Sequence, residues 1–160
     1  MKKIGCFLLI LMLSLLLVAC AEPASKPVDA PFAPMTVNGT AIEIDAQAAP
    51  VLAALGQEQA YEESPSCAFE GMDKLYIYGG FRVKTYSQNG TDFIYSVELM
   101  DDSLATPEGL FIGAEASRVT ELYGTPAQQN DSGMQFVFES TTLQILLRDG
   151  LVTNIQYIKS

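Results

Sequence analysis

The side chains able to do chemistry in this 160-residue chain are three cysteines, seven tyrosines, nine basic and nineteen acidic residues; there is no histidine and no tryptophan. Without histidine there is no Ser-His-Asp or Cys-His pair to activate a nucleophile, no imidazole acid or base, and no imidazole metal ligand. Three cysteines are too few for a four-cysteine zinc site. Carboxylates remain. Glu98, Asp101 and Asp102 cluster, with Glu108 nearby, as loop carboxylates that hold Ca²⁺ do. The Asp-x-Asp-x-Asp-Gly spacing is missing, so the cluster reads as a solvated acidic link. Glycoside hydrolysis needs two carboxylates facing across a cleft, and no spacing in the chain points to such a pair. No catalytic, cofactor-binding or metal-binding residue is therefore expected. The formal net charge of −10 argues against nucleic acid, whose phosphates are bound mainly by Lys and Arg.

The chemistry that survives is that of a binding surface. Arg82, Lys84 and Tyr86 alternate with Phe81, Val83 and Thr85, the period of a half-buried strand. Phe93, Tyr95, Val97 and Leu99 alternate with Ile94, Ser96 and Glu98. Leu143, Ile145 and Leu147 oppose Gln144, Leu146 and Arg148. One face of such a sheet is apolar; the other mixes aromatic, basic and amide groups. Tyr and Arg are enriched at protein contact hot spots. Arg82, Lys84, Tyr86 and Arg148 are the expected partner-binding residues, with scarce cations concentrated on one face to steer an acidic partner. The phase of Tyr76 and Tyr78 is ambiguous, because Leu75 and Ile77 opposite them are also apolar.

At the N-terminus, Lys2 and Lys3 precede an apolar run from Ile4 to Ala19, short for a bilayer crossing and suited to a signal segment. It ends in Leu17-Val18-Ala19-Cys20, which resembles the lipobox of bacterial lipoproteins. That resemblance implies a thioether-linked diacylglycerol on Cys20, cleavage just before it, and an extracytoplasmic protein held on the outer face of the cell membrane. Residues 1–19 are then a signal peptide. Residues 20–35 are a lipidated tether, whose Pro23, Pro27, Pro31 and Pro34 favour an extended chain. Loss of residues 1–19 leaves seven basic and nineteen acidic residues, a net charge of −12. Cys6 leaves with the signal and Cys20 goes to lipid. Cys67 is left without an intramolecular partner and is expected to be a small buried hydrophobe.

The elements that would position the surface residues occur in two similar runs. Ile42 to Gly56 matches Leu110 to Gly124 at an offset of 68, with Ile44 on Ile112, Val51 on Val119 and Gly56 on Gly124. Each run reads as an extended piece and a helix of about three turns ended by glycine. Strands follow, around Gly79-Gly80, Asn89-Gly90 and Asp149-Gly150, the last two being favoured hairpin pairs. The expected fold is α+β: two tandem repeats, 36–102 and 103–160, each a short helix packed on a three- to four-stranded antiparallel sheet. A monomer is expected.

Gly113, Val119, Tyr123, Gly124 and Pro126, with an echo at Val51 and Gly56, resemble the family built like the β-lactamase inhibitor protein and the small outer-membrane assembly lipoproteins, where a helix ending at Gly-x-Pro precedes a small antiparallel sheet. Ser66 to Gly71 and Thr106 to Gly113 are also similar to lipoproteins of Gram-positive bacteria. The resemblance implies a binding or scaffolding role and carries no catalytic residue. The expected function is a non-enzymatic, envelope-located module that binds a protein or peptide. The alternative is a small-ligand carrier or an enzyme acting on cell-wall fragments. A binder needs a broad, shallow surface, whereas a carrier or enzyme needs a deep pocket with convergent polar groups.

Overall fold

The structure is a computed structural model that describes residues 32–160. The signal segment, Cys20 and most of the tether lie outside those residues. Twelve elements follow in chain order. A short hairpin, β1 (Met35–Val37) and β2 (Thr40–Ile42), leads into helix α1 (Ala48–Leu55). Strands β3 (Ala60–Pro65), β4 (Glu70–Ile77), β5 (Phe81–Gln88) and β6 (Thr91–Leu99) come next, then helix α2 (Ala116–Tyr123). The chain ends in β7 (Gln128–Asn130), β8 (Gly133–Phe138), β9 (Thr141–Arg148) and β10 (Leu151–Lys159).

The expected α+β fold of two tandem helix-plus-sheet repeats is not what forms. The protein is mostly β, with a single eight-stranded antiparallel sheet in the order β3-β4-β5-β6-β10-β9-β8-β7 and the β1-β2 hairpin as a second, two-stranded sheet. The seam is the pairing of β6 with β10, Leu99 on Ile155 and Val97 on Tyr157. Separate sheets would leave two central edges of unpaired backbone groups; pairing them satisfies both. The helices are also shorter than expected. Each has eight residues, about 12 Å, or just over two turns. Pro50 sits in the first turn of α1, where its missing N–H costs nothing. Among the described residues no helix is long and apolar enough to cross a membrane.

The register explains the core. Val83, Val97, Tyr157, Leu143 and Phe136 form one cross-strand row; Phe81, Leu99, Ile155, Ile145 and Met134 form the next. All ten are buried, and they belong to a single cluster with Met35 and Ile42 of the hairpin, Ala48 of α1 and Val119 of α2. The hairpin and both helices therefore cover the same face of the sheet. Period-2 alternation sends the intervening residues to the opposite face, which no other helix or strand among the described residues covers. Tyr78, ambiguous in the sequence, belongs to the core, stacked on Phe81 at 4.8 Å. Tyr76 packs half-buried against the same cluster.

Candidate functional site

The uncovered face carries its groups in rows set by strand register. One row runs Arg82, Glu98, Gln156, Gln144, Gln135, Gln128, crossing from β5 to β7. A neighbouring row runs Glu62, Leu75, Lys84, Ser96, Ile158, Thr142, Val137. The two halves of the face differ in kind. Over β3 to β6 it is a lattice of opposite charges. Arg82 donates from Nε to Glu98 Oε2 at 2.7 Å, and Asn154 Nδ2 donates to the other carboxylate oxygen at 2.7 Å. Lys84 Nζ lies 3.0 Å from Asp73 and 5.3 Å from the centre of the Tyr95 ring. At the margin of the opposite, core-bearing face, Lys74 stands across from the buried Thr85, and its Nζ lies 2.6 Å from Asp92. These pairs shape the titration of their members. Burial raises the Asp73 carboxyl, but hydrogen bonds from Ser66 and Lys84 and the Lys84 charge outweigh it and hold the group below the usual carboxylate range. The hydrogen bond to Asp92 lifts the Lys74 ammonium above its ordinary value.

Over β7 to β10 the face is nearly free of charge. Gln156, Gln144, Gln135 and Gln128 stand on adjacent strands, about 4.8 Å apart, presenting carboxamide donors and acceptors in line. Leu146 and Leu151 flank them, both more than 40% exposed. Gly133, opposite Leu146, keeps the floor flat, since a Cβ there would meet the Ile145 carbonyl oxygen at 2.4 Å. Gln144 was placed on this face from the sequence, but the row it forms with Gln135 and Gln156 was missed, although the signal was present: Met134-Gln135-Phe136, Leu143-Gln144-Ile145 and Ile155-Gln156-Tyr157 place one amide between two core residues in three strands.

The four expected partner-binding residues fare differently. Arg82 and Lys84 share one shallow cleft of about 360 Å³ with Glu62, Asp73 and Glu98. Their charge is neutralised by Glu98 and Asp73, so the face is not the concentration of positive charge expected. Tyr86 is only 4% exposed and so is no surface residue. Phe69 covers it at 4.4 Å between ring centres, and its hydroxyl donates to Asp45, which Lys159 also holds. Arg148 is exposed at the end of β9, beside Leu151 and three strands from Arg82. Cys67 is a free, exposed thiol rather than a buried one. The loop from Ser66 to Phe69 turns on the Ser66 hydroxyl, which accepts from the Phe69 amide at 3.0 Å and leaves Cys67 at the tip.

Among the described residues the concave features are open clefts. One of about 790 Å³ is bordered by Phe69, Glu70, Phe93, Asp45 and Lys159, of which Asp45 and Lys159 are tied to each other. A second, about 430 Å³, lies under Phe32, which stacks on Phe138 at 4.4 Å. Beneath α2, Tyr123 bonds Thr106 at 2.7 Å and Glu108 at 2.8 Å; burial raises its hydroxyl pKa. This network ties the 106–110 turn to the helix, since the Leu110 amide also donates to the Thr106 hydroxyl. Among the described residues no three His, Cys, Asp or Glu side chains come together as metal ligands.

No protein-family model matches the chain, and no curated protein matches it. Among solved structures, an extracellular protein containing an SCP domain from Bacillus anthracis str. Ames is similar in fold, with a TM-score of 0.54 at 10% identity. The likeness covers 78% of this chain and 48% of that one, so the chain spans about half the length of that protein. At such low identity the likeness concerns the fold alone.

Proposed function

We propose that this chain is an extracytoplasmic module, lipid-anchored through Cys20, that binds a protein or peptide without catalysing a reaction. The observation that carries this reading is the uncovered face of the eight-stranded sheet. It is broad and shallow, half ion-paired lattice and half amide and aliphatic surface. A surface of that shape suits another macromolecule better than a small substrate, which needs a concave site with convergent polar groups. The clefts seen among the described residues are open, and within them Arg82 is bound to Glu98, Lys84 to Asp73 and Lys159 to Asp45. The address rests on the lipobox and the signal segment before it. The contact surface is reassigned from the four residues expected in the sequence to Arg82, Lys84 and the row Gln156, Gln144, Gln135, with Arg148 at its rim.

Photo-crosslinking tests the reading by position. A photoreactive side chain at Thr142 or Gln144, on the open face, should give adducts with a second polypeptide in intact cell envelopes. The same group at Glu121, on the exposed side of α2, should give none. Equal adducts from both sides, or none from the sheet, would refute the assignment of this face.

A further inference from the structure

The amide half of the uncovered face has a relief and a charge that suit it to meet itself. Among the described residues its one charged side chain is Arg148, although the whole chain carries a net charge of −10. Two copies repel each other over most of their surface, and here they can approach without that repulsion. Register sets the relief. Gln135, Gln144 and Gln156 form the central row. Two residues along the strands in one direction, about 7 Å away, stand Val137, Thr142 and Ile158, two aliphatic side chains around a short one. Two residues in the other direction stand Gly133, Leu146 and Asn154, so Leu146 rises beside a position with no side chain. A hollow of about 200 Å³ lies there, bordered by Gln128, Asn130, Gly133, Gln135, Gln144 and Leu146. Val137, opposite in the relief, is the most exposed large hydrophobic residue among those described, at 57%. Sheets pack face to face with their strands nearly aligned. A half-turn about an axis along the glutamine row, between two such sheets, lays one outer row over the other. Val137 of one copy then enters the Gly133 hollow of the other. Leu146 lies over Thr142, between Val137 and Ile158, and glutamine meets glutamine. A carboxamide both donates and accepts, so it pairs with its own kind. Arg148 swings over the end of β9 where Glu139 stands.

We propose that the amide half of the sheet face, over β7 to β10, is where a second copy of this chain packs, sheet on sheet, across a two-fold axis along Gln135, Gln144 and Gln156. This deepens the reading of the face as a polypeptide-binding surface by naming the polypeptide, and rests on that reading. A two-fold contact requires one patch to be complementary to itself. Bump against hollow, amide against amide and the near absence of charge meet that requirement together. A basic partner would be drawn to the acidic remainder of the chain rather than to this half. Size sets the strength. Four strands span about 19 Å across by about 25 Å along, roughly 500 Å² on each copy. The total of about 1,000 Å² is at the low end for a specific interface. Such a contact is weak between dissolved copies and gains where membrane anchors concentrate them.

The test uses the full-length protein in its own membranes, a short bis-maleimide linker and one exposed thiol at a time, with Cys67→Ser as the background. Gln144→Cys, on the axis, should link to itself between copies and give a species of twice the chain's mass. Glu121→Cys, on the exposed side of α2, should not. Added salt should increase the Gln144→Cys dimer, because it screens two chains of like net charge. Val137 is exposed, so Val137→Asp should leave the melting temperature nearly unchanged. In the Gln144→Cys protein it should abolish the dimer. Arg148→Glu should weaken the dimer, and Glu139→Arg in the same chain should restore it. A Q144C dimer no more abundant than that of E121C, or unaffected by V137D, or no stronger in the R148E/E139R double variant than in R148E overturns the proposal. If photo-adducts from Gln144 contain a different polypeptide and never a second copy, the face still binds a partner and only the self-pairing fails. If Gln144 gives no adduct of any kind, the proposal and the reading of the face fall together.

Discussion

At the scale of single residues, alternation made some of the surface legible and concealed the rest. Arg82 and Lys84 point away from the core as their phase requires. What the sequence could not display is that their counter-charges, Glu98 and Asp73, come from neighbouring strands, sixteen and eleven positions away in the chain. Tyr86 has the phase of a surface residue but is capped by Phe69 from a loop whose path no periodicity encodes. These pairings predict an acid limb to stability. Burial raises the Asp45 carboxyl, but hydrogen bonds from Lys159 and Tyr86, with the Lys159 charge, bring it below its ordinary 3.8, and Asp73 behaves alike. A carboxyl depressed in the folded state stabilises above its unfolded pKa, and that contribution is lost as pH falls through the folded value. The melting temperature should therefore fall as pH drops below about 4, and D45N should flatten part of the fall; a parallel fall in D45N would remove Asp45 from the account. At Cys20 the prediction is covalent: C20S should lose both fatty-acid label and membrane attachment, and a labelled C20S protein would disprove the anchor.

At the scale of elements, helix ends and tight turns were readable because they depend on local backbone geometry. Gly56 and Gly124 end α1 and α2 as expected, at φ of 83° and 78°, each donating its N–H to a carbonyl four residues back. Asn89-Gly90 and Asp149-Gly150 both have two successive positive φ values, the requirement of the hairpin turn they signal. The edge strands were not readable. β3 is Ala-Tyr-Glu-Glu-Ser-Pro and β7 is Gln-Gln-Asn, compositions without strand propensity, and they become strands only because β4 and β8 offer them a ladder. Gly56 allows the backbone term to be measured alone. A Cβ there would meet nothing within 4 Å, so any penalty comes from φ of 83° with ψ of −158°. That region is nearly closed to residues with a Cβ, so G56A should destabilise by about 1–3 kcal/mol in chemical denaturation. An unchanged midpoint would mean that the helix end relaxes freely.

At the scale of the whole molecule, the similarity of the two runs ending at Gly56 and Gly124 was visible, but the way their strands combine was not. Whether two sets of strands stay apart depends on the edge each presents to the other, and the decisive contacts, Leu99 with Ile155 and Val97 with Tyr157, join residues more than fifty positions apart. One sheet and one continuous core imply one unfolding unit, whereas two repeats with separate sheets would open independently. Ile155 discriminates between these outcomes. It is fully buried in β10 and pairs with Leu99 across the seam and with Ile145 inside the C-terminal half. Truncating it to alanine removes apolar contacts and leaves a cavity, a cost of about 2–5 kcal/mol. The slowest amides of a cooperative domain exchange only by global opening. In I155A the slowest amides of β5, in the N-terminal half, should therefore lose as much protection as those of β9. If protection collapses in β9 and β10 while the amides of Phe81 and Val83 stay as slow as before, the halves unfold separately and the seam between β6 and β10 is a docking contact rather than part of one cooperative sheet.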